Sequence, residues 1–332
     1  MDGLLEIAKK LSSPPGVIVA ADESPSTMKS RFEAIGITDS FEMRSAWRKL
    51  IAQAPIAEAG AAGIILHPEM LNVPEVVEEL KKQDVVIIVK IDGGLLEFGE
   101  NGEQTTKILE GLETLLLEWK SLGAAATKFR SVFKISDTTP SDELIEANAK
   151  VQAKLARMSQ DAGLVPMIEP EVLRNGGHSI KKDAEVTARV LDAVFAEVAK
   201  TGINYSQAIL KPNMITQGEE SIEKPTVDQV SEMTLRVLMN HVPKEIAGIN
   251  FLSGGISDEL SEQYLNRICQ LAKEKGVENI SASFGRAIVG APLKIWGGKD
   301  ENVKAAKESL VERIKRSSLA RTGNLTSKNL YP

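Results

Sequence analysis

Charged side chains stand at the ends of successive apolar runs in this 332-residue chain. Asp22 ends GVIVAAD, Lys90 ends VVIIVK, Lys128 follows GAAAT, Glu169 ends LVPMIE, Lys211 lies within AILKPNM and Arg286 follows ISASFG. A charge at the end of an apolar strand is costly unless that end opens into a polar site. Repetition along the chain therefore predicts one shared pocket. KFR and EPE extend the set, because Lys128 with Arg130, and Glu169 with Glu171, fall two residues apart and share a strand face. Crowded cations and burial both disfavour a protonated amine. A lysine so placed becomes a free amine that attacks a carbonyl to form a Schiff base. A neighbouring glutamate can shuttle the protons needed to expel water. Lys211, Glu169 and Lys128 fit that scheme. The rival reading is an ion-pair network at one end of the fold, which gives no reason to gather seven charges there: Asp22, Lys90, Lys128, Arg130, Glu169, Glu171 and Lys211.

Eight apolar, β-branched runs carry these residues: 16–22, 62–67, 84–92, 124–135, 163–172, 207–214, 248–254 and 279–287. Most are continuous rather than alternating, as in parallel strands covered on both faces. Helical patterns separate them. SFEMRSAWRKLIAQAPIAEAG follows the first run and TTKILEGLETLLLEWKSLG the third. Thr139 reads as an N-cap with Pro140 behind it, Gly202 as a helix stop, and Ser257 as the cap of DELSEQYLNRICQLAKEKG. Eight strand–helix units without a linker predict a single α/β (β/α)8 TIM barrel over 1–316, followed by a mobile C-terminal tail over 317–332. An open doubly wound sheet would need a glycine-rich turn after the first strand, where ADESPST stands instead.

In such a barrel the carboxyl ends of the strands build the site. FLSGG (251–255) and SFGRA (283–287) place glycines at the last two strand ends, where backbone N–H groups can approach an anion closely. Arg286 adds a planar fork of donors, and the loops after strands seven and eight are the usual phosphate site. Metal chemistry is poorly served: His67, His178 and His241 are scattered, and no regular acidic loop exists. No metal or cofactor is expected.

A net charge of −6 without a basic block argues against nucleic acid. No apolar stretch approaches the length of a membrane span, and the first residues lack a secretory pattern. The lone Cys269 excludes an internal disulfide and reads as a buried structural thiol. The expected compartment is the cytoplasm.

Together AADES (20–24) with Arg31, GIILHPEML, VKIDGG, ENGEQTT, KFRSVFKI, VPMIEPEVL, LKPNM, FLSGG, FGRA and LKIWGGKDENVKAA resemble class I fructose-bisphosphate aldolase, in order, over about residues 14–324. The resemblance implies a Schiff-base lysine at Lys211, with Glu169 as acid–base group and Lys128 assisting. It makes Asp22 the base at the C4 hydroxyl, with Glu171 and Arg130 orienting the set. It implies that Ser253, Gly254, Gly255, Gly285 and Arg286 hold the C1 phosphate. Ser24, Thr27, Lys90 and Arg31 would serve the phosphate at the other end. The implied partner is a phosphorylated sugar, in a homo-oligomer (tetramer or dimer) acting in glycolysis and gluconeogenesis. Phe129 stands where many relatives carry tryptophan, Thr27 replaces a serine, and the chain is shorter at both ends than animal relatives. The family's C-terminal tyrosine, which helps protonate the enamine, corresponds to Tyr331, here followed by Pro332. Another phosphorylated ketose or aldose as substrate, or a non-catalytic sugar-phosphate-binding role, stays open at this point.

Overall fold

The computed structural model describes residues 2–326 of the chain. Its strands are β1 Val17–Ala21, β2 Ala61–Leu66, β3 Val86–Lys90, β4 Asp92–Phe98, β5 Glu103–Ile108, β6 Ala126–Phe133, β7 Val165–Val172, β8 Ile209–Leu210, β9 Gly248–Phe251 and β10 Ile280–Phe284. Its helices are α1 Asp2–Ser12, α2 Pro25–Glu33, α3 Phe41–Gln53, α4 Pro74–Lys82, α5 Leu112–Leu122, α6 Asp142–Asp161, α7 Ile180–Thr201, α8 Val227–His241, α9 Asp258–Glu274, α10 Arg286–Trp296 and α11 Val303–Arg321. Eight parallel strands close in the order β1-β10-β9-β8-β7-β6-β3-β2, while β4 and β5 form a separate antiparallel pair. This is the expected (β/α)8 barrel.

Alternation along the strands builds two cores. Val17, Val19 and Ala21 of β1, Phe129 of β6 and Ile168 of β7 face the helices. Ile18, Ala20, Ile65, Ile88, Ala126, Val165, Met167 and Ile209 face the barrel interior. Ala8 and Leu11 of α1 join the inner cluster, so α1 closes the amino-terminal end. The approach is tight: a Cβ on Gly63 would lie 2.6 Å from Leu11 Cδ2. The Asn250 side-chain amide donates to Leu11 O at 3.3 Å. The inward parity then continues upward from Ala20 to Asp22, Ile88 to Lys90, Ala126 to Lys128 and Arg130, Met167 to Glu169 and Glu171, and Ile209 to Lys211.

Polar caps set where the helices begin. The Ser257 hydroxyl accepts from Leu260 N–H at 3.4 Å, and Thr226 with Gln229 forms a reciprocal capping box. Gly202, at φ +68°, ends α7 behind Lys200 as expected. Trp47 of α3 stacks on Trp296 of α10 with ring centroids 5.6 Å apart, joining the first and last parts of the outer layer.

The structure departs from the sequence reading in several places. The expected cap Thr139 lies in a turn with Ser136. Ser141 caps α6 instead, accepting from Leu144 N–H at 3.2 Å, and Glu103 takes the Ser141 N–H and hydroxyl at 2.8 and 2.7 Å. Residues 105–108, read as the start of a helix, belong to β5; Gly111, at φ +65°, separates that strand from α5. A short helix, α2, precedes the one expected after β1; Ser24 caps it and Pro25 opens it. The run 207–214 pairs only at Ile209 and Leu210, since Pro212 has no N–H to donate. The domain boundary expected at 316/317 falls inside α11, where Arg316 is held by the Glu262 carboxylate at 2.9 Å and the buried Arg321 donates to Ser12 O.

Candidate active site

The inward groups that follow the apolar layer converge on a cleft of about 430 Å³. Asp22, Lys90, Lys128, Arg130, Glu169, Glu171 and Lys211 all line it, so all seven charges share one mouth. Their arrangement is a chain of alternating sign. Lys128 Nζ lies 2.9 Å from Asp22 Oδ2 and 2.7 Å from Glu169 Oε2. The other oxygen of Glu169 lies 3.1 Å from Lys211 Nζ. Lys211 and Glu169 are each only 3% exposed, and Lys128 4%. Arg130 Nε donates to Glu171 Oε2 at 2.5 Å, which fixes the second residue of each strand pair.

Alternation decides the charge states. Burial alone would raise the Asp22 carboxyl and lower the Lys128 amine. The cations of Lys128, Lys211 and Lys90 outweigh burial at Asp22 and hold its carboxyl well below the usual range. Lys128, Lys211 and Arg130 do the same for Glu169. In return, Asp22 and Glu169 overcome burial at Lys128 and push its amine up. The expectation that crowded cations leave a neutral amine therefore fails at Lys128, because each cation is separated from the next by a carboxylate.

The phosphate-type features follow the neighbouring strands β9, β10 and β1, with Lys90 at the end of β3. Ser253, Gly254, Gly285 and Arg286 line the cleft. Gly254 and Gly255 take φ of +52° and +84°, conformations open to glycine without strain. A Cβ on Gly255 would lie 3.1 Å from Arg286 Nη2, so the backbone and the guanidinium border one recess. After β1, the barrel neighbour of β10, the hydroxyls of Ser24 and Thr27 lie 3.0 Å apart, with Lys90 and Arg31 also in the lining. Tyr331 lies outside the described residues.

Several site residues were missed in the sequence. Asp92 clasps Lys90 through Oδ1 and accepts the Arg130 N–H at 3.3 Å through Oδ2; its spacing of two from Lys90 was the available signal. Glu23 pairs with Arg31 and with Arg48, the latter at 2.6 Å. Arg31 thus enters the cleft already partnered by a carboxylate. Ser283, inward on β10, contributes a buried hydroxyl.

His67 caps the short turn 68–72. Among the described residues no group of three or more His, Cys, Asp or Glu side chains is placed to hold a metal ion. Cys269 is buried, with its thiol pushed up to about 12 by burial. No helix among the described residues is long and apolar enough to cross a membrane.

Fold and site together define a (β/α)8-barrel enzyme with buried amines and carboxylates at its mouth. The family model for fructose-bisphosphate aldolase class-I matches residues 3–330. Cytosolic fructose-bisphosphate aldolase 6 of Arabidopsis thaliana is 39% identical, covering 97% of this chain and 91% of its own length. Aldolase C-B of Danio rerio is 35% identical, covering 98% and 91%, and chloroplastic aldolase 2 of Pisum sativum is 36% identical, covering 97% and 93%. A Plasmodium falciparum fructose-bisphosphate aldolase, solved in a ternary complex with TRAP and a small-molecule inhibitor, superposes with a TM-score of 0.94 at 35% identity, covering 98% of this chain and 96% of that one. The chain belongs to the class I fructose-bisphosphate aldolase family and is an aldehyde-lyase of that type.

Proposed function

We propose that the enzyme cleaves fructose 1,6-bisphosphate reversibly to dihydroxyacetone phosphate and glyceraldehyde 3-phosphate through a Schiff base on Lys211. The observation that carries this reading is the series Asp22–Lys128–Glu169–Lys211, its last three members buried and each member within ion-pair distance of the next. Lys211 passes a proton to Glu169 Oε1, the acceptor 3.1 Å away, and the freed amine attacks the ketose carbonyl carbon. Glu169 returns the proton to the carbinolamine hydroxyl, which leaves as water, and the imine nitrogen carries the positive charge. Lys128 assists by charge. Asp22, kept ionised by its cationic neighbours, takes the C4 hydroxyl proton as the C3–C4 bond breaks. The bond's electron pair moves into the imine to give an enamine, and the C4 oxygen becomes the aldehyde. A proton on C3, assigned to Tyr331, and hydrolysis of the imine return dihydroxyacetone phosphate and the free lysine.

Glu171 and Arg130 orient this set. Ser253, Gly254, Gly255, Gly285 and Arg286 take the C1 phosphate; Ser24, Thr27, Lys90 and Arg31 take the other. The electron sink is the protonated imine, so no metal or cofactor is required, and a chelator should leave cleavage unchanged. We assign the enzyme to glycolysis and gluconeogenesis in the cytoplasm, as a homo-oligomer, dimer or tetramer. Cytosolic relatives support the compartment, though others are chloroplastic; light scattering tests the assembly.

Borohydride tests the covalent step. With dihydroxyacetone phosphate present it should trap an adduct on the peptide containing AILKPNM, and none without it. Lys211→Met should fold, form no adduct and lose several orders of magnitude in turnover. An adduct on Lys128 or Lys90 would overturn the assignment.

A further inference from the structure

Lys211 follows the shortest strand of the barrel. β8 pairs with its neighbours only at Ile209 and Leu210, and residues 211–226 form neither helix nor strand. At the nucleophile itself the backbone is held by Lys211 N–H donating to Ile168 O at 2.8 Å, and by Pro212 O accepting from Leu252 N–H at 3.0 Å. β7, which carries Glu169, is by contrast laddered to β6 over its full length. The geometry between amine and carboxylate therefore depends on what fixes the segment just after Lys211.

Side chains outside the barrel wall do this. Asn213 Oδ1 accepts the Val172 N–H at 3.0 Å, tying the segment to β7 next to Glu171. The other end of the Asn213 amide lies 3.3 Å from Thr187 Oγ1 and 3.5 Å from Asp183 Oδ1. Asp183, in the first turn of α7, then takes two shorter bonds: the Thr187 hydroxyl at 2.8 Å and the Thr216 N–H at 2.9 Å. Asp183, Thr187, Asn213 and Thr216 are all buried. Burial pushes the Asp183 carboxyl up to about 7, against the pull of these donors and of Arg174. Arg174 acts without an ion pair to it among the described residues. A buried acid without a cationic partner is unfavourable as structure alone, and two of its donors lie on the segment that follows the nucleophile.

We infer that Asp183 is a positioning residue for the Lys211–Glu169 pair, holding Asn213 and the Thr216 amide so that the amine after β8 stays in register with the carboxylate on β7. This rests on the reading of Lys211 as the nucleophile.

The test uses the full chain carrying Asp183→Ala or Asp183→Asn. Three quantities are read: the rate of borohydride trapping with dihydroxyacetone phosphate, kcat, and inhibition by a hexitol 1,6-bisphosphate, which binds through its phosphates but has no carbonyl. Asp183→Ala should lower the trapping rate and kcat together by about 10- to 100-fold, the scale that a small misplacement of reacting groups produces. Inhibitor affinity should stay unchanged, and Asp183→Asn should recover part of the rate. Should the alanine variant not fold, Asp183→Asn and Thr187→Val carry the test, each with a smaller loss of the same kind. Trapping at the native rate in a folded variant, or inhibitor affinity falling in step with kcat, overturns the inference. If Lys211→Met still forms the adduct, the reading of the nucleophile fails instead.

Discussion

The two ends of the barrel interior use the same strand parity for opposite purposes. At the amino-terminal end, Ile88, Ala126, Met167 and Ile209 pack with Leu11 of α1 into a small apolar cluster. One inward position higher, the same strands carry Lys90, Lys128, Glu169 and Lys211. The lower layer gains from removing apolar surface from water. The upper layer removes ionised groups from water and keeps them charged only because cations and carboxylates alternate. A step of two residues along a strand thus separates a stabilising layer from a costly, chemically poised one.

The sharpest way to break this contrast is to move the charge down one step. Ile209→Lys faces the interior two residues before Lys211, in a layer where among the described residues no carboxylate joins the cluster. An unpaired charge there should cost about 4 kcal/mol or more, seen as insoluble protein or collapse of the urea midpoint. Lys211→Met, just past the end of that strand, leaves Glu169 paired with Lys128 and should keep most of its midpoint. Similar stability of the two variants would mean that the layers are not distinct.

Lys128→Met probes the upper layer from its centre. Its loss removes the cation shared by Asp22 and Glu169, so both carboxyls should rise from their lowered values. Turnover should fall by about 10²- to 10⁴-fold, and the acid limb of the pH–rate profile should move to higher pH. A fall in rate with an unmoved acid limb would assign Lys128 a purely steric role. Leu11→Ala probes the plug: about 2–5 kcal/mol of stability should be lost, with kcat and KM of the folded enzyme unchanged.

How much of this was legible in the sequence follows from the same contrast. Continuous apolar runs ending in charge revealed the barrel strands and the residues of the mouth, because parity is a local property. The pairing of those residues was not local: Asp22 meets Lys128 only when the barrel closes, so the sign alternation that keeps Lys128 charged was invisible. Asp92 and Glu23, which occupy Lys90 and Arg31, were missed for the same reason, since a sequence shows a cation without showing what already holds it. The β4–β5 hairpin was lost because TTKI runs into LEGLETLLL with helical spacing. Only the positive φ at Gly111 divides them.

The smallest expected effect compares two aspartates on either side of the barrel wall, the partly buried Asp22 and the buried Asp183. Asp22 faces cations and has its carboxyl lowered, so its ionisation favours the fold above the unfolded value near 4 and that contribution fades as pH falls below it. Asp183 lacks an ion-pair partner among the described residues and has its carboxyl raised to about 7 by burial. Between about pH 4 and 7 the unfolded chain has released this proton and the folded chain retains it, so stability falls as pH rises through that window. Asp183→Asn removes the ionisation but leaves one of the Thr187 and Thr216 donors facing an amide, at a cost of about 1–2 kcal/mol. The variant should therefore be less stable than the native enzyme at pH 5, and the gap should close or reverse by pH 8 in urea unfolding. A gap that stays constant from pH 5 to pH 8 would mean that the Thr216, Thr187 and Asn213 donors, rather than burial, govern Asp183, and that its carboxyl is ionised throughout.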